Sequence, residues 1–172
     1  LKVFVINMSL SIKRDNIDDK NYQKILDLLR EAIKKDIVIV GSSGNSKIKD
    51  NILLDIIDEI FLITSLNCYG KIASYSKKIK NSYSFFGGDL TFSEDGNDLD
   101  RHLVYSSYPT NLGFNHFNNF GVPIGYCLYY GTSIATANCT NKILNSFLEN
   151  NYISSKTIIS HFKERLLDYK QK

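Results

Sequence analysis

Apolar residues in this chain fall in short continuous runs, separated by turn-forming clusters and by segments of helical period. Val3-Phe4-Val5-Ile6-Asn7-Met8 predicts a strand over residues 3–9. Over residues 21–35, Ile25, Leu28, Leu29, Ala32 and Ile33 recur at the spacing of one helical face. The β-branched run Ile37-Val38-Ile39-Val40 predicts a second strand and leads into Gly41-Ser42-Ser43-Gly44-Asn45, a turn composition. Strand, helix and strand in this order make a βαβ unit, and continuous apolar runs suit a parallel sheet covered on both faces. Ligands bind such sheets beyond the carboxyl ends of the strands, where Asn45 falls.

Further along, residues 60–66, 72–75 and 83–86 read as strands, the last ending in Gly87-Gly88-Asp89. Residues 90–126 have weak periodicity and many Asn, Asp, Gly and Ser, which predicts an irregular excursion with short strands. Two helical patterns close the chain: residues 132–149, and residues 155–169 with Ile158, Ile159, Phe162, Leu166 and Leu167 on one face. No internal repeat or low-complexity segment is visible.

Composition narrows the picture. The 172 residues with 43% hydrophobic content suffice for one core, so one domain or most of one is expected. Because the chain enters a buried strand at once, we expect that an N-terminal portion of the domain precedes Leu1, and the lack of a signal peptide is then uninformative. The net charge of +3 comes from 21 basic and 18 acidic residues spread along the chain, with small clusters at Lys34-Lys35 and Lys77-Lys78, which argues against a nucleic-acid-binding face. No apolar stretch reaches the roughly 20 residues of a membrane span. Cys68, Cys127 and Cys139 are odd in number and lack C-x-x-C spacing, so they read as small buried thiols rather than a disulfide framework or zinc site.

The chemistry concentrates at Gly131-Thr132-Ser133-Ile134-Ala135-Thr136-Ala137, where a small-residue turn opens into a helix. A serine at a positive helix end with its own N–H unspent suits a nucleophile that must stabilise an oxyanion. Three segments, in order, carry a family likeness: Val5-Ile6-Asn7-Met8-Ser9-Leu10-Ser11, then Ile37-Val38-Ile39-Val40-Gly41-Ser42-Ser43-Gly44-Asn45-Ser46, then Gly131 to Thr136. They resemble signature segments of the subtilases, the subtilisin-like serine peptidases, and the third is the most specific. Residues 58–66 with Ile72-Ala73-Ser74-Tyr75-Ser76 look like the family's strand pair. Phe85-Phe86-Gly87-Gly88 stands where its Ala-Pro-Gly turn would be.

The resemblance implies a subtilisin-like α/β fold, a mostly parallel sheet flanked by helices, with its N-terminal portion outside these residues. It implies a serine endopeptidase acting on polypeptide substrates. Ser133 matches the nucleophile and Asn45 the side-chain donor of the oxyanion hole. Ser9, Leu10 and Ser11 match the edge that pairs with an extended substrate, Gly41, Ser42, Ser43 and Gly44 match a wall of the S1 pocket, and Thr132 flanks the nucleophile. The family's Asp and His both precede the first of these segments, so they are expected in an upstream part of the same catalytic domain. Ala137-Asn138 stands where the family usually has Pro and often His, Ser11 where Gly is usual, and Gly41 where Ala is common.

Other readings remain beside this one. Ser133 also fits an ordinary helix N-cap, and Asn45 a turn residue. A catalytically inactive subtilase fold with a binding or regulatory role is the rival from another class. An unrelated phosphate-cradling module lacks the G-x-x-x-x-G-K-[ST] pattern. His102, His116 and His161 all follow Asn45 and read as surface or loop histidines. No cofactor is expected: many subtilases bind calcium, but Glu94-Asp95-Gly96-Asn97-Asp98-Leu99-Asp100 lacks EF-hand spacing and reads as a solvated loop tip. Tyr105, Tyr108, Phe114, Phe117 and Phe120 suit a substrate cleft or the stitching of a long loop to the body. Family habit favours secretion or a cell-envelope location, whereas unpaired cysteines suit a reducing compartment.

Overall fold

The computed structural model describes residues 4–46, 51–90 and 99–150, together with 157 and 160. Four parallel strands form its sheet in the order β1 (Val5–Met8), β2 (Val38–Ser42), β3 (Phe61–Leu66) and β4 (Tyr83–Phe86). Register runs Val5 against Val38, Val40 against Phe61 and Ile63 against Tyr83. All five residues of β2 are buried. This is the α/β architecture the apolar runs predict.

Strand side chains alternate between faces, so a continuous apolar run feeds two cores. Val38, Val40, Phe61 and Ile63 meet Ala135, Cys139 and Ile143 of the long helix α3 (Thr132–Asn150). Ile39 and Leu62, on the other face, meet Leu26 and Leu29 of α1 (Asp19–Lys34) and Ile52, Leu53 and Ile56 of a 3-10 turn (Ile52–Ile56). Each such side chain, fully buried, contributes about 1.5–3 kcal/mol. Helix α1 starts where the Asp18 carboxylate accepts the Asn21 N–H at 2.9 Å, which satisfies an orphan amide of the first turn. It ends at Lys35, followed by Asp36 in the left-handed region at φ 66°. The buried stripe is centred on Leu26 and Leu29, not on Leu28, which is 55% exposed. Two helical positions from Leu26 is a rotation of about 200°, which turns Leu28 outward.

Beyond β4 the chain forms a short helix α2 (Leu99–His102) and an antiparallel pair, β5 (Val104–Ser107) with β6 (Tyr126–Tyr129), joined by two 3-10 turns. Leu103, Val122 and Leu128 make a small core of their own, against which Phe117 packs. Tyr105, Phe114 and Phe120 of the aromatic group stay exposed. Strand β6 then delivers the chain to Gly131 and α3.

Two expectations need correction. Residues 72–75 are not a strand: Ile72 makes one antiparallel bridge to Leu66, and the Ser76 N–H turns back onto the Ala73 carbonyl. The Asn67 side chain shapes the first turn by accepting the N–H groups of Tyr69 and Lys71, each at 3.0 Å, and the Asp89 carboxylate holds the second by accepting the Ser74 N–H and hydroxyl, each at 2.7 Å, in place of ladder partners. Cys127 and Cys139 are buried thiols, but Cys68 lies on the first turn and is exposed. The terminal pattern over residues 155–169 falls outside the described residues apart from 157 and 160, and most of the acidic run 94–100 does too.

Candidate active site

The carboxyl ends of β1 and β2 meet the amino end of α3, and there the candidate residues converge. Gly131, at φ 141°, turns the chain into the helix so tightly that a Cβ on it would lie 3.0 Å from Asn45 Nδ2. Thr132 follows, fully buried, and both its N–H and its Oγ1 donate to Asn45 Oδ1 at 2.7 Å. A backbone N–H can only donate, so the Asn45 atom facing it is the carbonyl oxygen. That orientation leaves Nδ2, beside Gly131, as the carboxamide's donor at the cleft that Asn45 lines. Asn45 thereby caps α3 from a distant turn, taking an amide that the helix leaves without an internal partner.

Ser133 is half-buried at the second position of α3, where the helix presents the positive end of its dipole. Its Oγ donates to the Ser9 carbonyl at 2.9 Å, and Ser9 Oγ lies 2.9 Å from the Ser133 carbonyl and 2.7 Å from Asn7 Oδ1. An open cleft of about 290 Å³ here is lined by Ser11, Ser42, Gly44, Asn45, Ser46, Thr132 and Ser133. Leu10 is exposed on the segment that crosses beside it, and a Cβ on Gly44, at φ 95°, would meet Ser11 at 3.4 Å. Gly41 is buried against Leu53, and Ser43, also buried, donates its N–H to the Ile63 carbonyl.

Three supports of this site lie outside the residues that the sequence assigns to it. The buried Asn51 amide donates to the Ser42 carbonyl at 2.9 Å, and the Ile52 N–H donates to Ile12 O, tying the segment after β1 to the sheet. Asn51 stands before Ile52-Leu53-Leu54, the pattern of a helix cap, which would have marked it. Gly87 accepts the Gly131 N–H at 2.8 Å, and a Cβ there would collide with Ser65 Oγ and with the Gly131 carbonyl. Tyr75 donates to the Gly88 carbonyl at 2.6 Å and sits 2.7 Å from Ser65 Oγ; burial pushes its phenol up to about 12.

Neither described imidazole contacts Ser133. His102, expected at the surface or on a loop, is instead buried at the end of α2 with Nδ1 3.3 Å from Cys68 Sγ, and His116 packs against Phe117 and Phe120. His161 lies outside the described residues. Among the described residues there is no group of three or more His, Cys, Asp or Glu able to hold a metal. No described helix is long and apolar enough to cross a membrane.

The arrangement brings the Ser133 hydroxyl, the helix-end N–H beside it and the Asn45 carboxamide to one cleft. A family model described as the subtilase family matches residues 1–165 of the chain. A lanthipeptide protease of known structure superposes with a TM-score of 0.72 at 20% identity, over 90% of this chain and 52% of that one. The nisin leader peptidase NisP from Lactococcus lactis gives 0.61 at 14% identity, over 92% and 51%. The epidermin leader peptide processing serine protease EpiP from Staphylococcus aureus gives 0.61 at 16% identity, over 91% and 43%. At these identities the likeness is one of fold, and the chain spans about half the length of the structures it matches. No curated protein matches the sequence significantly.

Proposed function

Because this chain belongs to the subtilase family, we propose that it is the nucleophile-bearing part of a serine endopeptidase and that Ser133 forms the acyl-enzyme. In this reading Ser133 Oγ attacks the scissile carbonyl carbon of a bound polypeptide as a general base takes its proton. The carbonyl oxygen, now anionic, accepts from the Ser133 N–H and from Asn45 Nδ2. Collapse expels the amine, which takes up the proton from the base, and water then releases the acyl group by the same path. The base and the carboxylate that orients it come from an upstream part of the same catalytic domain. Ser9, Leu10 and Ser11 offer an edge to extended substrate backbone, and residues 41–44 a wall to the side chain before the cleaved bond.

The observation that supports this most is the double anchoring of Asn45 Oδ1 on Thr132, next to Ser133. With Oδ1 held there, Nδ2 is the carboxamide atom left to donate at the cleft that Ser133 also lines, an arrangement an ordinary N-cap serine does not need. The test is peptide hydrolysis by the whole protein and by its Ser133→Ala variant, with folding checked by circular dichroism. Loss of turnover to background in the variant is expected. A whole protein that binds peptides but cleaves none would instead make this a binding fold, and unchanged cleavage by Ser133→Ala would remove the serine mechanism.

A further inference from the structure

Resting on the oxyanion role given to Asn45 above, we propose that the Ser42 hydroxyl is a positioning residue, holding Asn45 through a directed chain of hydrogen bonds that runs through Thr132. Ser42 Oγ lies 2.7 Å from Thr132 Oγ1, both buried. Distance alone leaves the donor undefined, but the neighbours define it. Thr132 has one hydroxyl proton, and Asn45 Oδ1, which can only accept, takes it at 2.7 Å. Thr132 Oγ1 therefore receives from Ser42. Ser42 Oγ in turn accepts the Gly44 N–H at 3.3 Å. The sequence of donors is Gly44 N–H, Ser42 Oγ–H and Thr132 Oγ1–H, ending on Asn45 Oδ1.

Two physical consequences follow. Hydrogen bonds in series polarise one another, and in a buried site that strengthens the final link. The Thr132 hydroxyl is also fixed at both ends, because it accepts from Ser42 while it donates to Asn45. A donor held at Ser42 thus favours the rotamer that faces Asn45. Ser42 is itself held, because its carbonyl accepts Asn51 Nδ2. An alanine at position 42 would preserve the strand and its packing while leaving Thr132 free to turn and Asn45 less firmly aimed.

The experiment is a double-mutant cycle in the whole protein, with kcat and KM measured for parent, Ser42→Ala, Asn45→Ala and the double variant. Loss of one net hydrogen bond felt mainly in the transition state predicts a fall in kcat on the order of 5- to 10-fold for Ser42→Ala, with KM nearly unchanged. In the Asn45→Ala background the same substitution is expected to change kcat less than about twofold, and likewise in Thr132→Val. Equal losses in both backgrounds, or a loss carried by KM alone, would assign Ser42 to the pocket wall and overturn the relay while leaving Ser133 as nucleophile. Failure of Ser133→Ala to abolish cleavage would overturn the peptidase reading instead. A second readout is independent of turnover: the Asn45 carboxamide proton resonances, identified by their disappearance in Asn45→Asp, move in Ser42→Ala if the chain exists and stay in place if it does not.

Discussion

Ser133 donates its hydroxyl proton to the Ser9 carbonyl at 2.9 Å, across 124 positions of sequence, while Ser9 Oγ lies within reach of the Ser133 carbonyl. The pair clips the start of α3 to the end of β1. In the reaction proposed above, this proton would have to leave the Ser9 carbonyl for a base before Ser133 could attack. The acceptor is backbone, which means no side-chain substitution at position 9 can remove it.

Ser43 Oγ is buried without a hydrogen-bond partner among the described residues. Burying an unpaired hydroxyl costs about 1–3 kcal/mol. Ser43→Ala is therefore expected to stabilise the protein, raising Tm by roughly 2–12 °C on the scale of 2–4 °C per kcal/mol for a chain of this length. Differential scanning calorimetry checks this, and a fall in Tm would mean that the hydroxyl is satisfied in solution.

Gly87 is required by close approach. A Cβ there would stand 2.6 Å from the Gly131 carbonyl and 3.0 Å from Ala135 Cβ, besides striking Ser65 Oγ. Of these only Ser65 can swing away, so Gly87→Ala must displace the turn that carries Thr132 and Ser133. The expected cost is about 1–3 kcal/mol. Thermal melts of Gly87→Ala against Gly70→Ala separate crowding from conformation: nothing surrounds a Cβ on Gly70, where only the left-handed φ of 71° penalises the change. A smaller loss at Gly87 than at Gly70 would contradict the crowding account.

The Tyr75 phenol, lifted from 10.0 to about 12 chiefly by burial, gives a signed pH dependence. Below the ordinary value both folded and unfolded chains hold the proton, and Tyr75 contributes no slope. Between about 10 and 12 the unfolded chain releases it first, so stability is lost as pH rises through that window. Urea unfolding from pH 9 to 11.5 is expected to show a steeper decline for the parent than for Tyr75→Phe, which also loses the bond to Gly88. Parallel declines would place the phenol in water.

Of the three thiols only Cys68 is exposed, and burial raises that of Cys139 well above its ordinary range. Because the thiolate is the reactive form, a chromogenic disulfide should titrate one of these three cysteines in the folded protein and all three after denaturation. Cys68→Ser is expected to abolish the fast phase. A fast phase that survives this substitution would place another thiol at the surface.

Much of this architecture is legible from pattern. The β-branched runs mark β2 and β3 because a strand covered on both faces has no polar position to spare, and the small-residue turns mark the site because the chain must bend there beside a helix end. Side-chain hydrogen bonding is less legible. Nothing local in Ile72-Ala73-Ser74-Tyr75 distinguishes a strand from the turn that the Asp89 carboxylate holds, and nothing local couples Asn45 to Thr132. The motif names Ser133 and Asn45 as partners, but the direction in which the amide points follows from contacts that only the assembled fold contains. Leu28 misleads for a related reason: on a half-buried helix an apolar residue is not required to face inward.

The Asn45 to Thr132 bonds join residues 87 positions apart. Contacts of such separation carry a large loop-closure cost and form late, once β2 has docked against α3. A chain still folding has the serine but not the aimed amide beside it. Under the proposed reading, completing the fold is what confers chemical competence, so a half-folded molecule has the nucleophile without its oxyanion donor.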